Sequence, residues 1–262
     1  LKRGRRLATL LLSSDAWQPS ILAQALLLLL AYGILIWRTG LATVPKWRLR
    51  CFVAGCLVFF IAFGSPIDYL SDTRLFSAHM LEHILETMVM TPLLMLGLPS
   101  QWIHRAMSVH ALKRIALWVT NPIFAAAVYN VVFGLFHLPA LYGLTLRNDG
   151  FHLLEHSIFF VTAFFLWWPV LGMHEDVHSL APGWKLLYLL LNYNLMMPVS
   201  ILFVVMQHPL YNFYVTAPRT FGLSPLADQQ LSGFTMIVGM FIPYLWTGIR
   251  SYNKMNVMAW LQ

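Results

Sequence analysis

Charge is what this chain has least of. Only 17 Lys and Arg and 10 Asp and Glu occur in 262 residues, and charged residues make up 10% against 59% hydrophobic. With a mean hydropathy of +0.67, that shortage excludes a water-soluble globular domain and predicts a polytopic membrane protein. Cysteine is nearly as scarce. Cys51 and Cys56 are the two present, and five residues on one helix places them about 140° apart around its axis. They cannot readily bridge each other or share a metal, so no disulfide framework follows. Nucleic acid is excluded as a partner, because a net charge of +7 on so apolar a chain concerns lipid headgroups and orientation.

What is plentiful is long apolar runs, which predict an all-α fold. It is a transmembrane bundle of seven helices plus one interfacial helix, forming a single domain over residues 1–262. Residues 1–19 form a basic tail with Lys2, Arg3, Arg5 and Arg6. The patch from Leu7 to Leu12 is too short to span or to serve as a signal-peptide core. Spans are expected at about Ser20–Trp37, Cys51–Gly64, His79–Pro99, Pro122–Phe136, His152–Pro169, Trp184–Met206 and Asp228–Ile249. The Ser65-Pro66 pair reads as a helix break before a loop with Asp68, Asp72 and Arg74. Between spans three and four, Ser100–Trp118 mixes His104, Arg105, His110, Lys113 and Arg114 with apolar residues, as an interfacial helix does. Trp167-Trp168-Pro169 reads as an aromatic girdle at headgroup level.

One pattern occurs twice. His79-Met80-Leu81-Glu82-His83 recurs as His152-Leu153-Leu154-Glu155-His156, and residues four apart on a helix share a face. Seven spans put both pairs on one side of the membrane, with His137, His208 and Asp228. His104, His110, His174 and His178 fall on the other, where solvated loop residues are the simpler reading. Ten Lys and Arg lie in the loops opposite the paired histidines and three in the loops beside them. Positive charge favours the cytoplasm, so the cluster faces outside and the C-terminus inside; the four basic residues of the tail oppose this.

Ionisable groups at membrane depth are functional candidates by default. Imidazole is the commonest metal ligand, and thioether sulfur favours Cu(I). His79, His83, His137, His152 and His156 are therefore the expected ligands. Glu82, Glu86, Glu155, His208, Asp228 and Met236 could add to them or support them from behind. Glu86 and Met90 continue the His79–His83 face, and Asp228, Ser232, Met236 and Met240 are four apart; such a methionine stripe alone is more often packing. His-x-x-Glu-His is also the inverzincin peptidase pattern, with zinc held by the histidines and the glutamate as base. Haem between two helices is a third possibility. Asn130, Asn192 and Asn194 at membrane depth keep open a fourth, a copper transporter.

Taken together, the first histidine pair, Thr91-Pro92-Leu93-Leu94-Met95-Leu96-Gly97-Leu98-Pro99, His137-Leu138-Pro139, Glu155-His156, Trp167-Trp168-Pro169 and Asp228-Gln229-Gln230-Leu231-Ser232-Gly233 with Met236 form a pattern. It resembles the CtaG family, seven-span bacterial membrane proteins associated with assembly of caa-type cytochrome c oxidase. The resemblance runs from span two to span seven. It implies a multi-pass protein of the bacterial cell membrane that binds or delivers copper. A respiratory oxidase subunit or a copper-carrying protein would be its partner, within membrane lipid.

Overall fold

A computed structural model describes residues 13–40 and 44–260, and among these the regular elements are all helices. The four basic residues of the tail and the Leu7–Leu12 patch lie outside the described residues, as does the Lys254 side chain. In chain order the helices are α1 (Pro19–Thr39), α2 (Lys46–Gly64), α3 (Pro66–Thr73), α4 (Phe76–Ile84), α5 (Thr91–Gly97), α6 (Ser100–Ser108) and α7 (His110–Val119). They continue with α8 (Pro122–Phe136), α9 (Pro139–Thr145), α10 (Asp149–Leu171), α11 (Pro182–Val205), α12 (Asn212–Thr216) and α13 (Pro225–Trp260). A π-helical stretch, Leu85–Met90, joins α4 to α5.

Six stretches are long and apolar enough to cross a bilayer: Pro19–Thr39, Lys46–Thr73, Phe76–Gly97, Asp149–Leu171, Pro182–Val205 and Pro225–Asn253. A seventh exists if α7 and α8, which meet at 64°, count together. Alone, the 15 residues of α8 rise about 22 Å, short of a hydrocarbon core of about 30 Å. The outer faces carry the apolar side chains that such surroundings require, among them Leu27, Leu30, Leu190, Leu195 and Ile242.

Several boundaries differ from the sequence reading, each for a local reason. The second span starts at Lys46, not Cys51, because Arg48 is anchored to a neighbouring helix end. Its guanidinium donates to the carbonyls of Leu98 (2.6 Å) and Leu96 (3.2 Å), at and beyond the C-terminal end of α5. The Ser65-Pro66 break is a joint rather than an end. The Ser65 hydroxyl oxygen accepts from the Ile67 N–H at 3.2 Å, and helix resumes at once, so Asp68 and Asp72 are helical residues of α3. The expected interfacial helix is two, because Val109 is extended (ψ 112°). Trp167 and Trp168 form no girdle. Both are buried, their indole N–H groups donating to the Thr87 and Val177 carbonyls at 2.9 and 3.0 Å.

Two glycines permit the closest helix approaches. A Cβ at Gly97 would lie 2.7 Å from the Phe52 backbone, so α5 presses directly on α2, and the Tyr32 hydroxyl donates to the Gly97 carbonyl at 2.7 Å. A Cβ at Gly233 would lie 2.6 Å from the Ser200 carbonyl oxygen, where α13 packs along α11. The main core gathers Phe76, Met80, Phe159, Trp167, Met196, Phe203, Met236 and Met240 between α4, α10, α11 and α13.

Candidate metal centre

The first histidine pair is positioned by a residue 150 places away. At the start of α4, the N–H groups of Phe76 and Ser77 have no partner inside their own helix. The Asp228 carboxylate of α13 accepts from both, at 2.7 and 3.2 Å, and from the Ser77 hydroxyl at 2.5 Å. Asp228 thus acts as a cap supplied from another helix, which accounts for its burial without any ligand role. At the other end of α4, the π-helical stretch places Glu86 beside the histidines of α10. There the Thr91 hydroxyl donates to the Glu86 carbonyl at 2.8 Å, and Trp167 holds the Thr87 carbonyl. π turns recur where a helix must present functional side chains.

His79, His83, Glu155 and His156 then meet in the interior, with Glu82 and Glu86 behind them; all six are buried. The His79 and His83 rings are 4.4 Å apart at their centroids, and His83 and His156 are 4.8 Å apart. His79, His83 and His156 each offer a donor atom within 4.8 Å of the others', and so do His79, His152 and Glu155. His79 belongs to both sets.

Glu155 occupies the centre. Its two carboxylate oxygens lie 3.8 Å from His79 Nε2 and 3.5 Å from His83 Nε2, close enough for ion pairing and too long for hydrogen bonds. Glu82 and Glu86 stand at the outer nitrogens. Ser71 Oγ lies 3.0 Å from His79 Nδ1 and 2.5 Å from Glu82 Oε2. Its single proton goes to the carboxylate, so His79 Nδ1–H is the donor into Ser71 and Nε2 keeps its lone pair toward the centre. Glu86 does the same for His156, accepting from Nδ1–H at 2.9 Å, and lies 3.8 Å from His83 Nδ1. The two copies of the motif are therefore unequal, with one glutamate inside the nest and the other behind it. His152 is the outermost member, 22% exposed, with its Nε2 3.0 Å from His156 Nε2 and its Nδ1 3.7 Å from Asp72. His79 Nε2, both His83 ring nitrogens and one oxygen each of Glu82 and Glu155 are buried with no hydrogen-bond partner.

The remaining candidates lie elsewhere. His137 does not join either convergent set: its Nδ1 meets the Phe133 carbonyl at 2.6 Å and its Nε2 faces Met80 Sδ at 3.3 Å. His208 is exposed, and only its carbonyl is engaged, by Gln229. Met236 is packed in the apolar core. Asn130 and Asn192 bond to each other at 2.9 Å across α8 and α11, and Asn194 turns back to the Leu190 carbonyl. At the far end of the bundle the His104 and His174 rings meet edge to face, 4.6 Å apart at their centroids. Nearby, Lys113 lies 2.8 Å from Asp176 and holds its carboxyl below the usual range.

Ser71 and Asp72 were missed as participants, since no helical spacing connects α3 to α4. A tyrosine roof was missed too. The Tyr142 and Tyr214 hydroxyls are 2.8 Å apart, Tyr214 donates to the Ser71 carbonyl, and the Tyr142 ring lies 5.1 Å from that of His79. On the opposite flank a cleft of about 520 Å³ opens between α1, α2 and α10, reaching His152, His156 and Glu86 and continuing past Phe59, Met90 and Leu94.

This geometry sits within a stretch with known relatives, for residues 28–250 match the family of the cytochrome c oxidase caa3 assembly factor, Caa3_CtaG. The chain belongs to that family. As a Caa3_CtaG protein it is a multi-pass, all-helical member, and both histidine pairs, the capping Asp228 and the tyrosine roof fall inside the matched region. No curated protein and no solved structure matches this chain.

Proposed function

We propose that this assembly factor serves oxidase maturation by holding copper as cargo in the nest of His79, His83, His152, His156 and Glu155, and passing it to an oxidase subunit or to a copper-carrying protein. One observation carries the reading: His79 Nε2, His83 Nε2 and a Glu155 oxygen lie close together in the interior, buried and without hydrogen-bond partners, with His156 and His152 beside them. Leaving such groups unpaired costs about 1–3 kcal/mol each, and a cation at their centre removes that cost. Zinc would satisfy the same donors, but maturation of an oxidase gives copper the stronger claim. The rings touch one another, which suits a compact ion better than a porphyrin. Glu82 and Glu155 are sealed from solvent, which favours holding an ion over activating water for hydrolysis. The excess of Lys and Arg in the opposite loops supports a nest facing outside.

The test is metal content of protein purified without a metal-affinity tag, beside oxidase activity in the same cells. Replacing any one of His79, His83 or His156 by Gln is expected to lower bound copper and oxidase activity in parallel. Full copper occupancy with lost oxidase activity would overturn the reading and favour hydrolysis.

A further inference from the structure

We propose a second metal position, selective for monovalent copper, formed by Met80 Sδ and His137 Nε2. The two atoms are 3.3 Å apart and both side chains are buried. The Phe133 carbonyl, 2.6 Å from His137 Nδ1, can only accept, so that nitrogen carries the proton and the neutral ring presents a lone pair at Nε2. A thioether sulfur is also an acceptor. Two acceptors thus face each other in an enclosed space with no hydrogen to share. Packing alone gives a weak reason for this, since sulfur–aromatic contacts favour the ring edge without requiring the nitrogen to lead.

A soft cation resolves the contact. With bonds of about 2.0 Å to imidazole nitrogen and about 2.3 Å to sulfur, a linear two-coordinate ion separates its donors by about 4.3 Å, so the unbranched Met80 side chain withdraws its sulfur by about 1 Å to admit it. The surroundings exclude water and add no charge: the rings of Phe133, Phe159 and Phe203 lie 4.4, 6.4 and 5.8 Å from that of His137. The Tyr211 hydroxyl fixes the His137 carbonyl at 2.7 Å. Nitrogen–sulfur ligation in an apolar box favours Cu(I), whereas the imidazole–carboxylate nest favours a divalent ion. The His83 ring is 6.3 Å from His137, so the two positions are neighbours with opposite preferences.

This inference rests on the copper reading only for the identity of the metal, and the test reads the two positions separately. Ag(I) serves as a redox-inert stand-in for Cu(I), and Zn(II) reports the nest. Met80→Leu keeps the volume and removes the sulfur; it is expected to weaken Ag(I) binding by about tenfold or more while leaving Zn(II) binding within about twofold. Unchanged Ag(I) binding in that variant, or equal loss of both metals, overturns the second position. Absent Zn(II) binding with Ag(I) retained would instead count against the nest. A wild-type measurement covers misfolding of the variant: selenomethionine-labelled protein with one equivalent of Ag(I) is expected to show a silver–selenium shell at the silver absorption edge. A shell of light atoms only overturns the proposal.

Discussion

Glu155 and Glu82 hold the same place in their motifs and different places in the molecule. Glu155 faces the inner nitrogens of His79 and His83, while Glu82 meets His79 only through the Ser71 side. Glu155→Gln removes a charged donor from the centre and is expected to lower copper affinity on the order of a hundredfold. Glu82→Gln loosens a supporting contact, and about tenfold is expected. Competition against a chromogenic chelator measures both, and equal losses would contradict the assignment. Asp228→Ala separates stability from ligation. It leaves two N–H groups of α4 uncapped, so a loss of about 1–2 kcal/mol is expected as a lower unfolding temperature in detergent, with copper stoichiometry retained. The histidines were legible from spacing alone, because i, i+4 geometry is local. Whether a neighbouring acid faces inward or outward depends on the azimuth of a second helix, which the spacing of His-x-x-Glu-His does not contain.

Among the elements, the joins carry more information than the spans. Apolar runs located the long helices, and the Ser65-Pro66 break was legible, but its immediate resumption as helix and the turn at Val109 were not, and the π-helical stretch escaped because contacts from outside its own segment hold it. The Trp167 indole against the Thr87 carbonyl is one such contact, and the half-buried guanidinium of Arg48 on the Leu98 carbonyl explains why a basic residue lies inside a span instead of in a loop. The α2–α5 contact has no room to give. Gly97→Val would drive a branched side chain into the Phe52 backbone, and a destabilisation of about 1–3 kcal/mol is expected. Thermal unfolding in detergent should show it, whereas Gly134→Ala, inside α8 with nothing within 4 Å of its added Cβ, should not destabilise and is expected to raise stability by up to about 1 kcal/mol.

For the molecule as a whole, sidedness is the property to measure. Arg147 and Glu175 are exposed at opposite ends, so each can carry a single reactive cysteine in a background with Cys51 and Cys56 replaced. An impermeant maleimide applied from outside is expected to label Arg147→Cys and spare Glu175→Cys. The reverse pattern would place the nest in the cytoplasm and require an intracellular copper donor.

The cap that α13 lends to α4 also sets an order in time. While the chain is being made, α4 is synthesised about 150 residues before Asp228 exists, and its first N–H groups lack their final acceptor until α13 arrives. The first histidine pair therefore reaches its packed position only once α13 has been made and lies against α4. A chain stopped after α11 should be retained by the membrane yet hold no copper, making metal uptake a mark that α13 is in place.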